Sequence, residues 1–278
     1  KSQSGRDRDL VFPSAVVQSD IQYGTAFNPT TQVLEPLLLD LYEPANDAAT
    51  GRPAVVIVHG GGFVGGDKTA VSMQRLGADF ARRGYVAISI NYRLGVAPVT
   101  PLMLLNASHD MKAAVRWLRT QQSTLRLEPG RIGCIGSSAG AITSLQTAYV
   151  NNGEGTSGNP GVSSAVHAVV DLWGGLVPLN ALESGEAPVQ IIHGTTDPTV
   201  PYQAGVDLHS QALAVGVPTE LHPITGFGHD GPEGGRAGHS SVRPRGSLEQ
   251  GEDRPAALVN VNVNVDVNVN VNVNVNVD

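Results

Sequence analysis

The chain has 278 residues, of which 41% are hydrophobic, and a formal net charge of -7 at pH 7. This length and apolar content suffice for one large domain with a sizeable core. The acidic charge argues against nucleic acid and anionic membranes as partners, because both need a basic face. No apolar run approaches the roughly 20 residues of a bilayer span, and the single cysteine, Cys134, excludes an internal disulfide.

Residues 1–15 are predicted to form a flexible N-terminal segment, since the sequence begins with a polar stretch. The first residue is Lys1 instead of Met, which is typical of a mature protein after removal of a signal peptide. We therefore expect a secreted or periplasmic protein, although a trimmed cytoplasmic chain would begin in the same way.

Residues 16–230 alternate strand-like and helix-like segments. The early segments 16–23 and 36–42 are predicted to be antiparallel strands at one edge of a sheet. The best helical pattern has apolar residues at i, i+3, i+4 and i+7 from Met111, after a start signal at Asn106 or Ser108. Continuous β-branched runs typical of buried parallel strands lie at residues 54–58, 86–90, 131–135, 166–172, 189–193 and, less clearly, 219–225. This alternation predicts an α/β fold with a mostly parallel central sheet flanked by helices.

The composition changes after residue 230. Residues 231–258 are rich in Gly, Pro and Arg without a helical period, which indicates a linker. Residues 259–278 carry Val at every odd position with Asn or Asp between. We interpret this repeat as a low-complexity tail. In an extended conformation it would place all its Val side chains on one face.

A Gly-Ser-Ser-Ala-Gly run at residues 136–140 matches the pattern G-x-S-x-G. It directly follows the strand predicted at residues 131–135 and precedes a predicted helix at residues 141–149. A sharp strand-to-helix turn exposes the serine hydroxyl beside backbone N–H donors, as nucleophilic attack on an ester requires. An ordinary glycine-rich turn is the alternative, but this is the only such match in the chain. Ser138 is therefore the candidate nucleophile.

A His-Gly-Gly-Gly-Phe run at residues 59–63 follows the strand predicted at residues 54–58. Three consecutive glycines are costly in backbone entropy, so a specific reason for them is expected. We interpret the run as part of an oxyanion hole formed by the backbone N–H groups of Gly61, Gly62 and Ala139, each worth roughly 3 kcal/mol in the transition state. A flexible turn and a phosphate-binding loop are the alternatives, but residues 60–68 lack a Walker or dinucleotide spacing. His59 is interpreted as a structural hydrogen-bonding residue.

The candidate acid and base follow the last predicted strands. Asp197 comes just after residues 189–193 and could orient an imidazole, while His229 lies in a glycine-rich loop beyond residues 219–225. The chain order serine, acid, histidine is that of α/β-hydrolases. Asp171 also ends a predicted strand and is the rival acid, ranked second because Asp197 has the better downstream position.

Other charged residues are interpreted as structural. Asp67 and Lys68 are expected to pair within their loop, and Asp110 to supply a charge in the first turn of a helix. The sequence has no His-Glu-x-x-His or Cys-x-x-Cys spacing, so it implies neither a metal nor another cofactor.

Taken together, these motifs resemble the esterase and lipase branch of the α/β-hydrolases, in particular small bacterial carboxylesterases and feruloyl- or acetylxylan-esterase-like proteins. The resemblance covers residues 16–230 and rests on the runs at residues 59–63, 91–94, 110–118, 136–140 and 193–201 and on His229. It implies that Ser138 attacks the acyl carbon and that His229 relays the proton. It further implies that Gly61, Gly62 and Ala139 hold the oxyanion. A small-molecule or polysaccharide-linked ester is the expected substrate.

Two departures from that family pattern matter. Residues 231–278 offer no convincing last helix after the catalytic histidine. About sixteen residues separate the strands ending at Leu172 and beginning at Val189, which leaves no room for a large lid domain. We expect an open active site, unless residues 1–36 or 96–105 fold over it, with short or aromatic acyl esters as substrates. The loop around Pro98 and Pro101, with the apolar residues 102–105, is expected to supply one wall.

Two other functional classes remain open. A peptidase or amidase could use the same three residues, but it would usually carry an additional gating domain. A non-catalytic binding protein could keep the fold, but such relatives typically lose the serine or the histidine. The complete residue set favours the esterase.

Overall fold

The computed structural model describes residues 5–229, 260–261 and 275–276. Within residues 5–229 the strands are β1 (Ala15–Asn28), β2 (Val33–Pro44), β3 (Arg52–Val58), β4 (Val86–Ile90), β5 (Leu127–Ser137), β6 (Ala168–Leu172), β7 (Val189–Gly194) and β8 (Thr219–Ile224). The α-helices are α1 (Val71–Arg83), α2 (Pro101–Thr120), α3 (Ala139–Tyr149) and α4 (Tyr202–Val215). In the tail, β9 (Asn260–Val261) pairs antiparallel with β10 (Val275–Asn276). The remainder of the predicted linker and Val-Asn tail lies outside the described residues.

The first eight strands form one sheet in the order β1-β2-β4-β3-β5-β6-β7-β8. All neighbouring pairs from β4 to β8 are parallel, whereas β1 and β2 are antiparallel strands at one edge. The predicted α/β-hydrolase fold with a mostly parallel sheet is therefore confirmed, as are the two early antiparallel strands. Because the strands from β3 to β8 run in one direction, their carboxyl ends share one edge of the sheet.

Both faces of the central strands are buried. Successive residues of a strand point to opposite faces, so Val56 packs with the cluster that includes residues of α2, α3 and α4, and Ile57 packs with the cluster that includes Phe80 of α1. All seven residues of β3 are buried. Burying each large aliphatic side chain contributes about 1.5 to 3 kcal/mol, which explains why these strands read as continuous apolar runs.

Helix α2 begins five residues earlier than the start signal at Asn106 suggested. Thr100 has extended backbone angles and Pro101 occupies the first turn, where a missing N–H has no consequence. Residues 101–105, expected to belong to a loop, are therefore the first turn of α2. The assignment of Asp110 to a first turn was consequently wrong. It lies in mid-helix, fully buried, with Arg93 Nη2 at 2.7 Å from its Oδ1.

The expected pairing of Asp67 with Lys68 was also wrong. The Lys68 ammonium group is buried and lies 2.6 Å from Asp40 and 2.8 Å from Asp20. Asp20 belongs to β1 and Asp40 to β2, the two strands at the edge of the sheet. Asp67 instead accepts hydrogen bonds from Thr69 and from the side chain of Asn91. A buried ammonium needs a carboxylate close enough to offset its lost hydration, and the sheet supplies one that the loop does not.

The described part of the N-terminal segment is attached to the domain. The N–H of Asp7 donates to the carbonyl of Arg83 at 2.7 Å, and the N–H of Val11 donates to that of Arg82 at 2.9 Å. Arg131 adds an ion pair to Asp7 at 2.9 Å. Within residues 5–14 these contacts join the segment to the end of α1 and to β5. Among the described residues, no helix is long and apolar enough to cross a bilayer.

Candidate active site

Ser138 lies on the turn between β5 and α3 in a strained backbone conformation. Its φ and ψ are 53° and -119°, a region that residues with a side chain rarely adopt and that costs about 1 to 3 kcal/mol. Two hydrogen bonds hold the turn: the Ser138 N–H donates to Leu172 in β6 at 2.9 Å, and its carbonyl accepts from Ile142 at 3.0 Å. At this turn the serine is only half-buried.

The two glycines of the motif are required by close backbone contacts. A Cβ atom at Gly136 would lie 2.2 Å from the carbonyl oxygen of Gly140. A Cβ atom at Gly140 would lie 2.1 Å from the carbonyl oxygen of Val58, the last residue of β3. Helix α3 can therefore start directly against the end of β3, and this contact brings residues 59–63 next to Ser138.

The structure brings Ser138, His229 and Asp197 into one hydrogen-bonded chain. His229 Nε2 lies 2.8 Å from Ser138 Oγ, and His229 Nδ1 lies 2.8 Å from Asp197 Oδ2. Asp197 follows β7 and His229 follows β8. The Asp197 side chain is fully buried, whereas that of His229 remains 15% exposed. This geometry allows the imidazole to accept the serine proton while the carboxylate holds the other ring nitrogen.

The environment keeps Asp197 ionised. Burial alone would raise the pKa of Asp197, but hydrogen bonds from His229 and from the backbone N–H groups of Thr199 and Val200 outweigh burial and lower it. Those two N–H groups donate to Oδ1 at 2.8 and 3.0 Å. These two hydrogen bonds fix the orientation of the carboxylate. Oδ2 is thereby directed toward His229, from which it accepts a hydrogen bond.

A second histidine, His193, contacts the same carboxylate and was not identified from the sequence. Its side chain is fully buried, with Nε2 at 2.9 Å from the carbonyl oxygen of Val200 and 3.3 Å from Asp197 Oδ2. Both neighbours are acceptors, so Nε2 carries the proton. Two signals in the sequence could have revealed this contact: His193 precedes Asp197 by four residues, and it shares the inward face of Ile191 on β7.

The predicted oxyanion residues lie beside the serine turn. Gly61 and Gly62 have φ values of 112° and 61°, and the loop closes through N–H groups of Val64 and Gly65 that donate to the Gly61 carbonyl. No backbone carbonyl among the described residues accepts from the N–H of Gly61 or Gly62. Both glycines are exposed, and Ala139 is the first residue of α3. These N–H groups are thus available to an incoming oxygen.

His59 stabilises this loop through hydrogen bonds and ring stacking. Its Nδ1 donates to the carbonyl of Gly60 at 2.7 Å, and its ring stacks on Tyr92 with centroids 4.5 Å apart. The Tyr92 hydroxyl returns a hydrogen bond to the His59 carbonyl at 3.1 Å. Burial lowers the pKa of His59, which keeps the ring neutral. These contacts agree with a structural role for His59.

Asp171, the rival acid, is not hydrogen-bonded to His229. It is fully buried, its Oδ1 accepts from the N–H of Gly174 at 2.7 Å, and its Oδ2 has no partner within the described part of the chain. Burial raises the pKa of Asp171 to about 7.

Among the described residues there is also no group of three or more His, Cys, Asp or Glu side chains that could hold a metal ion.

Comparison with known proteins points to esterases. The chain is 26% identical over 147 residues to fumonisin B1 esterase of Sphingopyxis macrogoltabida, covering 49% of this chain and 26% of that protein. It is 29% identical over 162 residues to esterase LipI of Mycobacterium tuberculosis, covering 57% and 47% respectively. The chain therefore spans between about a quarter and a half of these named relatives.

Solved structures give longer matches. Esterase 2 of the planctomycete Thermogutta terrifontis superposes with a TM-score of 0.63 at 27% identity, covering 78% of this chain and 84% of that one. The same esterase has been solved with propionate bound and in a form phosphorylated by paraoxon. The family model BD-FAE matches residues 39–177, half of this chain, including both the glycine-rich run and the serine turn. The chain belongs to the BD-FAE family.

Proposed function

We propose that this chain hydrolyses carboxylic esters through an acyl-enzyme formed on Ser138. The observation that carries the proposal is the hydrogen-bonded chain from Ser138 through His229 to Asp197, with 2.8 Å at each step. Beside it lie the N–H groups of Gly61 and Gly62, which donate to no backbone carbonyl in the described part of the chain. The named relatives and structural neighbours are esterases, which supports the same reaction class.

The first half of the reaction acylates the serine. His229 Nε2 removes the hydroxyl proton while Ser138 Oγ forms a bond to the carbonyl carbon, and the carbonyl oxygen becomes an oxyanion. The N–H groups of Gly61, Gly62 and Ala139 donate to that oxyanion, where removing one such donor typically costs 10²- to 10³-fold in rate, as an order of magnitude. When the bond to the alcohol oxygen breaks, the imidazolium gives its proton to the departing alkoxide.

The second half releases the acid. Water, deprotonated by His229, adds to the acyl carbon, and the proton returns to Ser138 Oγ as the carboxylic acid departs. Asp197 stays ionised throughout and stabilises the imidazolium in both halves. The lowered pKa of Asp197 fits this role, because protonation of that carboxyl would remove the partner of the charged imidazole.

We further propose short or aromatic acyl groups, on small alcohols or on polysaccharides, as substrates. The Thermogutta esterase binds propionate and butyrate, two short acids. The approach to Ser138 has no inserted lid domain between β6 and β7 within the described chain, which favours soluble esters over lipid droplets.

A fluorophosphonate probe and hydrolysis assays test this proposal together. The probe should label Ser138 covalently, and Ser138→Ala should lose both the labelling and nearly all hydrolysis of 4-nitrophenyl acetate. Ser137→Ala is the matched control and should retain both. Labelling that persists in Ser138→Ala, or faster hydrolysis of 4-nitroacetanilide than of the ester, would refute the esterase proposal and favour the amidase.

A further inference from the structure

The loop of residues 59–66, called the oxyanion loop below, is closed on itself between β3 and α1. At its first end, a Cβ atom at Gly60 would lie 3.0 Å from the carbonyl oxygen of Ser137, beside the nucleophile. At its second end, a Cβ atom at Gly66 would lie 2.3 Å from the carbonyl oxygen of Gly60. The two ends are therefore in contact, and the position of the N–H groups between them depends on how each end is fixed.

The second end leads into Lys68, which the sheet holds through both its backbone and its side chain. The Lys68 N–H donates to Asn91 Oδ1 at 2.6 Å, and the Lys68 carbonyl accepts from Ser89 Oγ at 2.8 Å. The ammonium group lies 2.6 Å from an Asp40 oxygen and 2.8 Å from an Asp20 oxygen. Lys68 thus joins the oxyanion loop to β4, to β2 and to β1.

Strand β1 contains a bulge at the residue that reaches this ammonium group. The register of β1 with β2 shifts between Gln18 and Ile21, and Asp20 within the bulge has a φ of 59°. The Asp20 N–H donates to Asp40 Oδ1 at 3.0 Å, which ties the bulge to the second carboxylate. Bulges beside active sites commonly redirect one side chain. Here the bulge brings Asp20 to Lys68.

The ammonium group stays charged although it is buried. Burial alone would lower the pKa of Lys68, but the hydrogen bonds to Asp20 and Asp40 outweigh burial and raise it. The side chains of Lys68 and Asp40 are 4% and 3% exposed, whereas that of Asp20 is 70% exposed. Apolar residues of similar volume often stabilise a protein as well as a buried ion pair does. Stability alone therefore does not account for a buried charge next to the oxyanion loop.

We propose that Lys68 is a positioning residue that fixes the second end of the oxyanion loop, so that the N–H groups of Gly61 and Gly62 face the carbonyl oxygen of the substrate. The inference rests on the proposed function and adds a residue to the same site. A displacement of about 1 Å within a catalytic site can cost roughly 10²-fold in rate. Without its ammonium group, residue 68 would keep its backbone contacts to β4 and lose its link to β1 and β2.

Lys68→Met tests the ammonium group, because methionine keeps an unbranched side chain without the charge. The rate constant of acylation, measured in single turnovers with 4-nitrophenyl acetate, should fall about tenfold or more. The dissociation constant of the ester should stay nearly constant, because the oxyanion forms only in the transition state. Lys68→Arg, which keeps a cation beside both carboxylates, should retain most of the acylation rate constant.

A trifluoromethyl ketone measures stabilisation of the oxyanion directly. Ser138 Oγ bonds to its carbonyl carbon, His229 takes the serine proton, and the carbonyl oxygen becomes an alkoxide. With ¹³C at that carbon, the NMR shift gives the pH at which the alkoxide is protonated. Lys68→Met should raise that pH by about one unit, which corresponds to a tenfold weaker stabilisation of the charge. A role in stability alone would leave that pH unchanged.

Two further variants keep the test independent of folding. Asp20→Asn changes a side chain that is 70% exposed, and asparagine tolerates the positive φ of this position. It should lower the acylation rate constant about threefold, since it removes one of the two carboxylates at Lys68. The double variant Lys68→Met/Asp40→Asn removes both buried charges. It should regain the melting temperature that Lys68→Met loses, without regaining the acylation rate constant.

Arg52→Met is the matched control. Arg52 is also buried, and it pairs with Glu43 at 2.7 Å. It is the first residue of β3, at the opposite end of the strand that leads into the oxyanion loop. Arg52→Met should lower the melting temperature and leave both the acylation rate constant and the ketone titration unchanged.

Hydrogen exchange separates failure of this inference from failure of the proposed function. Amide exchange in residues 59–66 should be faster in Lys68→Met than in the parent, and unchanged in Arg52→Met. Faster exchange in Lys68→Met, with no ester hydrolysis by the parent, would contradict the proposed function alone. An active parent whose Lys68→Met variant keeps the acylation rate constant, the ketone titration and the amide exchange would overturn the positioning role. Recovery of the acylation rate constant together with the melting temperature in the double variant would overturn it as well.

Discussion

Replacing Asp197 by asparagine should place the ring proton of His229 on the wrong nitrogen, so that His229 no longer acts as a base, without disturbing the fold. The two oxygens of Asp197 have different partners: Oδ1 accepts from two backbone N–H groups, whereas Oδ2 accepts from His229 Nδ1 at 2.8 Å and has His193 Nε2 at 3.3 Å. An asparagine must keep its carbonyl oxygen at the Oδ1 position, because the reverse orientation would direct its NH₂ group at two N–H donors. Its NH₂ group therefore faces His229 Nδ1.

The consequence is the wrong tautomer of His229. A donor opposite Nδ1 forces that nitrogen to accept, so the ring proton moves to Nε2, which faces Ser138 Oγ at 2.8 Å. The imidazole can then no longer take the serine proton. We expect kcat to fall roughly 10³- to 10⁴-fold, which corresponds to a loss of about 4 to 5.5 kcal/mol of transition-state stabilisation.

The assay is steady-state hydrolysis of 4-nitrophenyl acetate at pH 8, with thermal unfolding measured on the same samples. The melting temperature of Asp197→Asn should stay within a few degrees of the parent. Asp171→Asn is the control and should keep kcat within about threefold, because Asp171 does not contact His229. A folded Asp197→Asn variant that retains more than a tenth of the parent kcat would refute the tautomer argument.

Three further predictions follow from single contacts. Asp171→Asn should raise the melting temperature more at pH 8 than at pH 5. Because the pKa of Asp171 is raised to about 7 in the folded protein, the parent loses stability as the pH rises from about 4 to about 7. A gain in melting temperature that is independent of pH would contradict this. His193→Phe should lower kcat about tenfold at nearly constant KM. His193→Gln should keep most of the parent kcat, because its amide can replace the Nε2 donor. Equal losses of kcat in the two variants would argue for a packing role. Gly140→Ala should prevent formation of an active fold, since its Cβ would lie 2.1 Å from the Val58 carbonyl oxygen, whereas Gly130→Ala meets nothing closer than 3.7 Å and should be silent in activity and unfolding assays.

The strands could be predicted because burial leaves a direct trace in the sequence. Parallel strands covered on both faces are continuous β-branched runs, and β4 has the predicted bounds. Helix α2 was harder, because its first turn contains adjacent apolar residues at positions 102–105 that obscure the helical period. Pro101 was the informative signal there, since proline fits the first turn of a helix and not its interior.

Contacts between distant segments could not be predicted from local pattern. The ion pair of Asp110 with Arg93 joins α2 to the segment after β4, and the partners of Lys68 come from the edge strands. Such pairs depend on how elements pack against one another, which neither propensity nor periodicity specifies.

The spacing of the strands gives a physical reason why Asp197 and not Asp171 meets His229. Neighbouring strands lie about 4.8 Å apart, so β7 is roughly 10 Å from β5 and β6 only half as far. The chain from Ser138 Oγ to Asp197 Oδ2 needs two hydrogen bonds of 2.8 Å and the width of one imidazole ring. That length fits an acid two strands away. Asp171 is only one strand away and pairs with Gly136, two residues before the serine, and its Oδ1 accepts from the N–H of Gly174 instead. The spacing of the strands therefore gives a physical basis for ranking Asp197 above Asp171 by its downstream position.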